Sequence, residues 1–198
     1  MLRRLLAGRA QNITEVTDRD WVLAPAVKTV VRPAIYPQNA LDRITGLSPW
    51  RDWEIERKLI DGGEIEHAAT TAHLVRNVDV VGPALYAGAA KADFGFEGAA
   101  PGDGAYQSVD EAHLVSGWTA SRYFGHFVWD SFPLEMIPEA DAPKIALATK
   151  DYHHEAGYRA LLGFEAPKMI GRGRISEMTF YTDFGQNSYK ADRYLSLI

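Results

Sequence analysis

Hydrophobic positions are spaced differently in the two parts of this chain, and the spacing changes near residue 112. Before that point, apolar residues come in short runs or alternate with polar ones. Asp20-Trp21-Val22-Leu23-Ala24 and Val27-Lys28-Thr29-Val30-Val31 are rich in β-formers, with Pro25 between them and Pro33 after, so residues 20–34 read as extended. Residues 37–53 carry Pro37, Gly46 and Pro49 and read as loop with at most a short helix. Asp61-Gly62-Gly63 signals a turn. Ile65 to Val81 has no helical stripe, and His73 to Val81 alternates as a strand does. Gly82-Pro83 turns the chain, and Ala84 to Ala87 resumes it. Gly95, Gly98, Pro101, Gly102 and Gly104 mark a flexible loop or a boundary.

After residue 112 the period lengthens. Ser121 to Met136 predicts a helix with Thr119 or Ser121 as its cap; Pro138 closes it, and Pro133 ends or kinks it earlier. Ile145 to Thr149 is a short apolar run of the kind that forms a buried parallel strand. Asp151 can cap a helix from Tyr152 to Leu162, which Gly163 ends. Lys168 to Ile170 and Ile175 to Tyr181 predict two more strands, and a helix opens at Ser188 with Asn187 or Ser188 as its cap. That order of elements is the grammar of a layered α/β domain. The architecture expected is a β-rich segment, residues 1–111, followed by a Rossmann-like α/β lobe, residues 112–198, the two together forming one compact unit. Tyr194, Leu195, Leu197 and Ile198 cannot all face one side of a short helix. The closing segment is therefore expected to expose apolar surface, as a chain cut at a domain boundary would, and to support self-association.

Composition narrows the function class. At 46% hydrophobic and 24% charged, the 198 residues are those of an ordinary globular protein. No apolar run is long enough to cross a membrane. The absence of cysteine excludes disulfides, thiolate metal sites and a cysteine nucleophile, and fits a cytoplasmic setting. Met1-Leu2-Arg3-Arg4-Leu5-Leu6-Ala7-Gly8-Arg9 is too short and too interrupted for a secretory signal, but it suits a peripheral contact at the inner face of a membrane. A net charge of −5 argues against nucleic acid as a partner. The charge is uneven: Lys and Arg outnumber Asp and Glu by 8 to 6 from residue 144 onward and are outnumbered 13 to 20 before it. The last third therefore tolerates an anionic ligand better than the rest.

The densest chemistry lies in Tyr123-Phe124-Gly125-His126-Phe127-Val128-Trp129-Asp130-Ser131-Phe132-Pro133-Leu134. On a helix His126 and Asp130 stand at i and i+4 and share a face, with Arg122 one turn earlier on the same line. An imidazole can take a proton from a hydroxyl near neutral pH, and a carboxylate on its other nitrogen fixes the tautomer. The plainer alternative is a histidine satisfied by its own helix neighbour. Tyr123, Trp118 and Trp129 flank the stripe and suit stacking on a sugar. Gly171-Arg172-Gly173-Arg174 is either an anion site made of two guanidiniums or a basic turn between strands. His153, His154 and Glu155 are adjacent and fan out around a helix, so they do not make one metal site. No phosphate loop, GxGxxG or GxSxG is present.

The run from Tyr123 to Pro133 resembles the Asn-Tyr-Gly-His-Trp-x-x-Asp-x-Leu-Pro signature of family 61 glycosyltransferases, with the same spacing from Gly125 through Pro133. The strand, helix and strand that follow come in the same order, and Gly185-Gln186-Asn187-Ser188-Tyr189-Lys190-Ala191-Asp192-Arg193-Tyr194 is similar to a segment that precedes the second lobe in bacterial members. The resemblance covers about residues 115–197. Tyr123 stands where the signature usually has Asn. The resemblance implies a GT-B fold and an inverting transfer from a nucleotide-sugar donor to a glycan or polysaccharide acceptor, with no cofactor and no required metal. It implies His126 as base and Asp130 as its orienting group, or the reverse. Arg122, Tyr123, Trp129, Arg172 and Arg174 would then bind substrate. The family's second lobe, with its His-Gly-Ala-Gly-type donor motif, has no counterpart in these residues, so this chain alone is expected to lack a complete active site and to show no transferase turnover. Two other readings remain open: a non-catalytic carbohydrate-binding or regulatory module, and a structural subunit whose partner supplies the missing lobe.

Overall fold

Twelve consecutive residues of β-type sequence, Thr70–Val81, form the longest strand, β4, and most of the chain is arranged around it. The computed structural model describes residues 12–49, 51–94, 105–117, 123–139, 141–147 and 153–197. Three strands precede β4: β1 (Arg19–Ala24), β2 (Val27–Val31) and β3 (Gly63–His67). Six follow it: β5 (Ala84–Ala87), β6 (Ala90–Asp93), β7 (Gln107–Leu114), β8 (Lys144–Leu147), β9 (Lys168–Ile170) and β10 (Arg172–Thr182). The helices are α1 (Trp53–Asp61), α2 (His153–Leu162) and α3 (Ser188–Leu195), with a central helical run over residues 124–136.

Eight strands make one mixed sheet in the order β6-β5-β4-β10-β7-β8-β9, with β1 also paired to β4; β2 and β3 form a separate two-stranded ribbon. β4 pairs antiparallel with β1, β5 and β10, while β10, β7, β8 and β9 run parallel. The sheet curls on itself. Only Gly171 separates β9 from β10, and Gln107 at the start of β7 donates to the Met169 carbonyl on β9 at 3.3 Å. The core inside the curl is Val75, Val78, Val80, Leu85, Leu114, Ile145, Leu147, Ile170, Ile175 and Met178, all nearly inaccessible to solvent.

The chain is thus mixed α/β. The boundary expected at 111/112 falls inside β7, and β10, from the second segment, is bonded between β4 and β7. One sheet spans both segments, because the ladder between β4 and β10 is a long-range pairing that no local pattern announces. Residues 53–61 form α1, a helix that the sequence reading did not place, capped by Asp52 and stopped by Gly62 at φ 72°. One further correction is local. Gly171-Arg172-Gly173-Arg174 is not a turn, since Arg172 onward is already strand β10. The expected caps Thr119, Ser121 and Asp151, most of the loop at 95–105, Arg122, Trp118, the basic leading residues and Ile198 lie outside the described residues. No described helix is long and apolar enough to cross a membrane.

Within the sheet, the His113 Nδ1 on β7 lies 2.6 Å from the Tyr181 hydroxyl on β10. Burial holds the His113 imidazole below the ordinary histidine value of 6.5, outweighing the opposite pull of Glu111, and burial likewise pushes the Tyr181 hydroxyl up. The unfolded chain therefore takes up the His113 proton first as pH falls, and stability is lost on acidification through 6.5 and below. Calorimetry across pH 7 to 5 is expected to show His113→Gln with a shallower acid decline of Tm than the parent. Parallel declines would contradict this.

Candidate functional site

The central run occupies the crossover from β7 to β8. It is α-helical over Phe124–His126, π-helical over Phe127–Ser131 and 3₁₀ over Phe132–Met136. Pro133 accounts for the change, because it has no N–H for the Trp129 carbonyl and its ring would strike that carbonyl in an α-helix. The helix widens instead, and the Phe132 N–H bonds to the Phe127 carbonyl. The freed Trp129 carbonyl accepts from the Tyr194 hydroxyl at 2.5 Å, and the Pro133 carbonyl accepts from Arg193 Nη1 at 2.8 Å. Both donors stand on α3. Single π turns of this kind are frequent at functional sites.

His126 and Asp130 share a face as their spacing requires, with Nδ1 2.5 Å from Oδ2. A carboxylate only accepts, so Nδ1 donates, and in the neutral imidazole Nε2 is then the acceptor. The His126 side chain is 48% exposed and Asp130 28%. The second Asp130 oxygen, Oδ1, accepts from Lys190 Nζ at 3.2 Å. Lys190 is wholly buried. Its amine also donates to the Asp183 carbonyl at 3.0 Å.

Behind Lys190 lies a network of buried polar groups. Arg193 Nη2 reaches both Asp183 oxygens at 2.9 Å, and the guanidinium stacks 4.6 Å from the Tyr189 ring centre. Thr70, at the start of β4, donates to Asp183 Oδ1 at 2.7 Å and accepts from Asn187 Nδ2 at 3.0 Å. Asn187 caps α3 by accepting from the Lys190 N–H. Gly185 makes the approach possible, since a Cβ there would lie 2.1 Å from the Ala68 carbonyl oxygen. A line of charge-assisted bonds thus runs from β4 through Asp183 and Lys190 to Asp130 and His126.

Asp130 lines an open cleft of about 440 Å³. Ser116 and Gly117, just past β7, and Thr182 to Phe184, at the end of β10, form its floor. β7 and β10 are parallel neighbours, and the chain leaves β7 toward β8 on the side away from β10. The cleft therefore sits outside the carboxyl ends of two parallel strands, β7 and β10. His126 stands beside this cleft without lining it. A second cavity of about 490 Å³ shares Ser116 and Gly117 and contains Glu135 and Arg159. Glu135 is 1% exposed and accepts from Arg159 Nη2 at 2.6 Å. Burial pushes its carboxyl up in spite of that guanidinium, while the Glu135 bonds raise Arg159 against its own burial.

The other residues expected at the site divide into two groups. Tyr123 and Trp129 are exposed beside the dyad; the Tyr123 ring lies 5.8 Å from His126 and Trp129 packs edge-on against Tyr194 at 4.9 Å. Arg172 and Arg174 are elsewhere. They sit at the amino end of β10, roughly 25 Å or more along the strand from its site end. Arg174 bonds to Asp79 and Asn77 across the sheet, so the structure does not bring the two arginines to His126. The sequence reading also missed Asp183, Lys190 and Arg193. Lys190, Arg193, Tyr194 and Leu197 follow helical spacing, and that stripe was the available signal. α3 accordingly docks on the central helical run of its own chain: Tyr194 is half-buried, Leu197 packs on Phe127 and Phe132, and Leu195 is the one apolar side chain of these three left outside. The expected apolar display by this segment is corrected to that extent, because its inward face is mostly polar. No protein-family model, curated protein sequence or solved structure matches the chain.

Proposed function

We propose that this chain forms the acceptor side of an inverting sugar transfer of the family 61 type. The observation that carries the reading is the His126–Asp130 pair: a half-exposed imidazole held at Nδ1 by a carboxylate whose other oxygen is pinned by a buried amine. Both Asp130 oxygens are thereby occupied, which favours His126 over Asp130 as the base. His126 Nε2 takes the proton of an acceptor hydroxyl as that oxygen bonds the anomeric carbon. The bond from that carbon to the nucleotide diphosphate breaks on the opposite face, and the diphosphate leaves with the electron pair. Asp130 stabilises the imidazolium that forms. The exposed rings of Tyr123 and Trp129 stack on acceptor sugar faces. Under this reading the donor is held by a second lobe that these residues do not include.

Saturation-transfer NMR of the purified chain with neutral and acidic oligosaccharides tests the reading. We expect sugar protons to be saturated by the parent, about tenfold weaker binding in Trp129→Ala, and little change in His126→Ala. Where a donor-binding lobe completes the site, His126→Ala is expected to slow transfer by ~10²–10⁴-fold. Absence of oligosaccharide binding would overturn the acceptor assignment. Binding with transfer indifferent to His126 would leave a carbohydrate-binding module.

A further inference from the structure

The segment from Val27 to His67 stands apart from the sheet. It contains the β2–β3 ribbon and α1, and none of these three elements has a buried residue. Among the described residues, its hydrogen bonds stay within it: Lys28 to Glu64, Thr29 to His67, Arg51 to Glu56, Arg57 to Asp61, and the Ala34 N–H to the Ile60 carbonyl. Yet it carries large apolar side chains in the open. Val30 is 82% exposed and Ile35 fully so, and Tyr36, Trp53, Ile55 and Leu59 are all exposed. A lone two-stranded ribbon is marginal in water, so this arm is built for a cover that its own sheet does not provide.

We propose that the cover is a second copy of this chain, joined through β2. Val30, the most exposed apolar side chain on β2, stands beside Thr29 at the middle of that strand. The ribbon has two open edges, because β2 bonds only β3 and β3 only β2. Antiparallel pairing of β3 with its own copy about Ile65 would set Glu64 against Glu66 on both sides, and like charges directly opposite repel. Pairing of β2 with its own copy about Thr29 meets no such conflict. Val27 faces Val31, Lys28 faces Val30, and Thr29 faces Thr29, so each pair holds a β-branched residue and no like charges are opposed. Pro25 and Pro33 bound the free edge and limit pairing to Val27–Val31, which defines the register.

Charge agrees with self-recognition. Residues 27–67 hold 6 Lys or Arg and 7 Asp or Glu, nearly balanced, so two arms meet without net repulsion. An anionic lipid surface is disfavoured, since α1 and its cap set Asp52, Glu54, Glu56 and Asp61 against Arg57 and Lys58. The result would be a four-stranded ribbon across a two-fold axis, the isologous arrangement commonest among homodimers.

Sedimentation equilibrium of the full chain at micromolar concentration tests this. The expected species has twice the 22.0 kDa chain mass. Val30→Lys sets the introduced amine against Lys28 of the other copy on both sides of the axis and is expected to weaken association at least tenfold; Val30→Thr, still β-branched, is expected to leave it. Unchanged hydrogen exchange in β4 and β10 shows that the variants remain folded. A parent that stays monomeric, or co-sediments as a monomer with anionic vesicles, overturns the proposal. So does a dimer that survives Val30→Lys but dissociates in Leu195→Asp, which would place the seam on α3.

Discussion

Asp183→Ala is expected to destabilise the chain by ~3–5 kcal/mol, because removing one partner of a buried pair leaves the other charge uncompensated. Here the Arg193 guanidinium would be stranded, while Lys190 keeps its bond to Asp130. Asp183 is 2% exposed at its side chain and receives both the Arg193 guanidinium, itself 7% exposed, and the Thr70 hydroxyl. Lys190, with no exposed surface, lies 3.9 Å from its second oxygen. A loss of that size is a large part of the ~5–15 kcal/mol that holds a typical domain together. Denaturant titration followed by tryptophan fluorescence checks the value. The variant should also release α3, so hydrogen exchange at residues 188–195 should accelerate more than in β4. A loss below about 1 kcal/mol, within the range of exposed ion pairs, would mean that the network is not sealed. Asp183→Asn keeps the shape and one acceptor oxygen, and should fall between parent and alanine.

Gly173→Ala is expected to be nearly as severe, for a steric reason. A Cβ at this position would lie 2.2 Å from the Gln107 carbonyl oxygen and 3.0 Å from the Gln107 carbonyl carbon. Both atoms belong to backbone, so no side-chain rotation relieves the clash. Overpacking in a tight site costs ~1–3 kcal/mol, and more where the backbone must move. The strand would have to leave its partner at the Gly173–Gln107 pair that opens the β10–β7 ladder. The readout is a fall in thermal midpoint together with faster amide exchange in β7. Gly125→Ala is the control, since nothing lies within 4 Å of a Cβ there. Equal effects at both glycines would remove the close-approach account of Gly173.

The same comparison explains the Gly171-Arg172-Gly173-Arg174 motif. Its glycine serves strand packing, and Arg174 is spent across the sheet on Asp79 and Asn77. The acidic and basic groups that matter around His126 come instead from β10's far end and from α3. Asp130 is fixed between His126 on its own helix and Lys190 on another. That second bond is what separates this dyad from a histidine merely satisfied by its neighbour: the carboxylate is tied to the rest of the fold.

Local chemistry was readable along the chain. Runs of β-formers placed β1, β2 and β4, Gly62 and Gly163 marked stops, and Asn187 announced the cap of α3. The i,i+4 spacing put His126 and Asp130 together, and the geometry agrees at 2.5 Å. Each of these depends on residues within one or two turns of one another, where periodicity and capping act directly. The tertiary structure alone decided the rest. β10 crosses back to lie between β4 and β7, which merges the two expected segments into one sheet and creates the cleft beyond the carboxyl ends of β7 and β10. Thr70 meets Asp183 across 113 positions of sequence, and Lys190 meets Asp130 across 60. Lys190 and Arg193 look like solvent-facing residues of a short helix until that folding supplies their carboxylates. Burying a charge is favourable only when its partner is already in place, and the partner's position is a property of the assembled sheet, not of the helix that carries the charge.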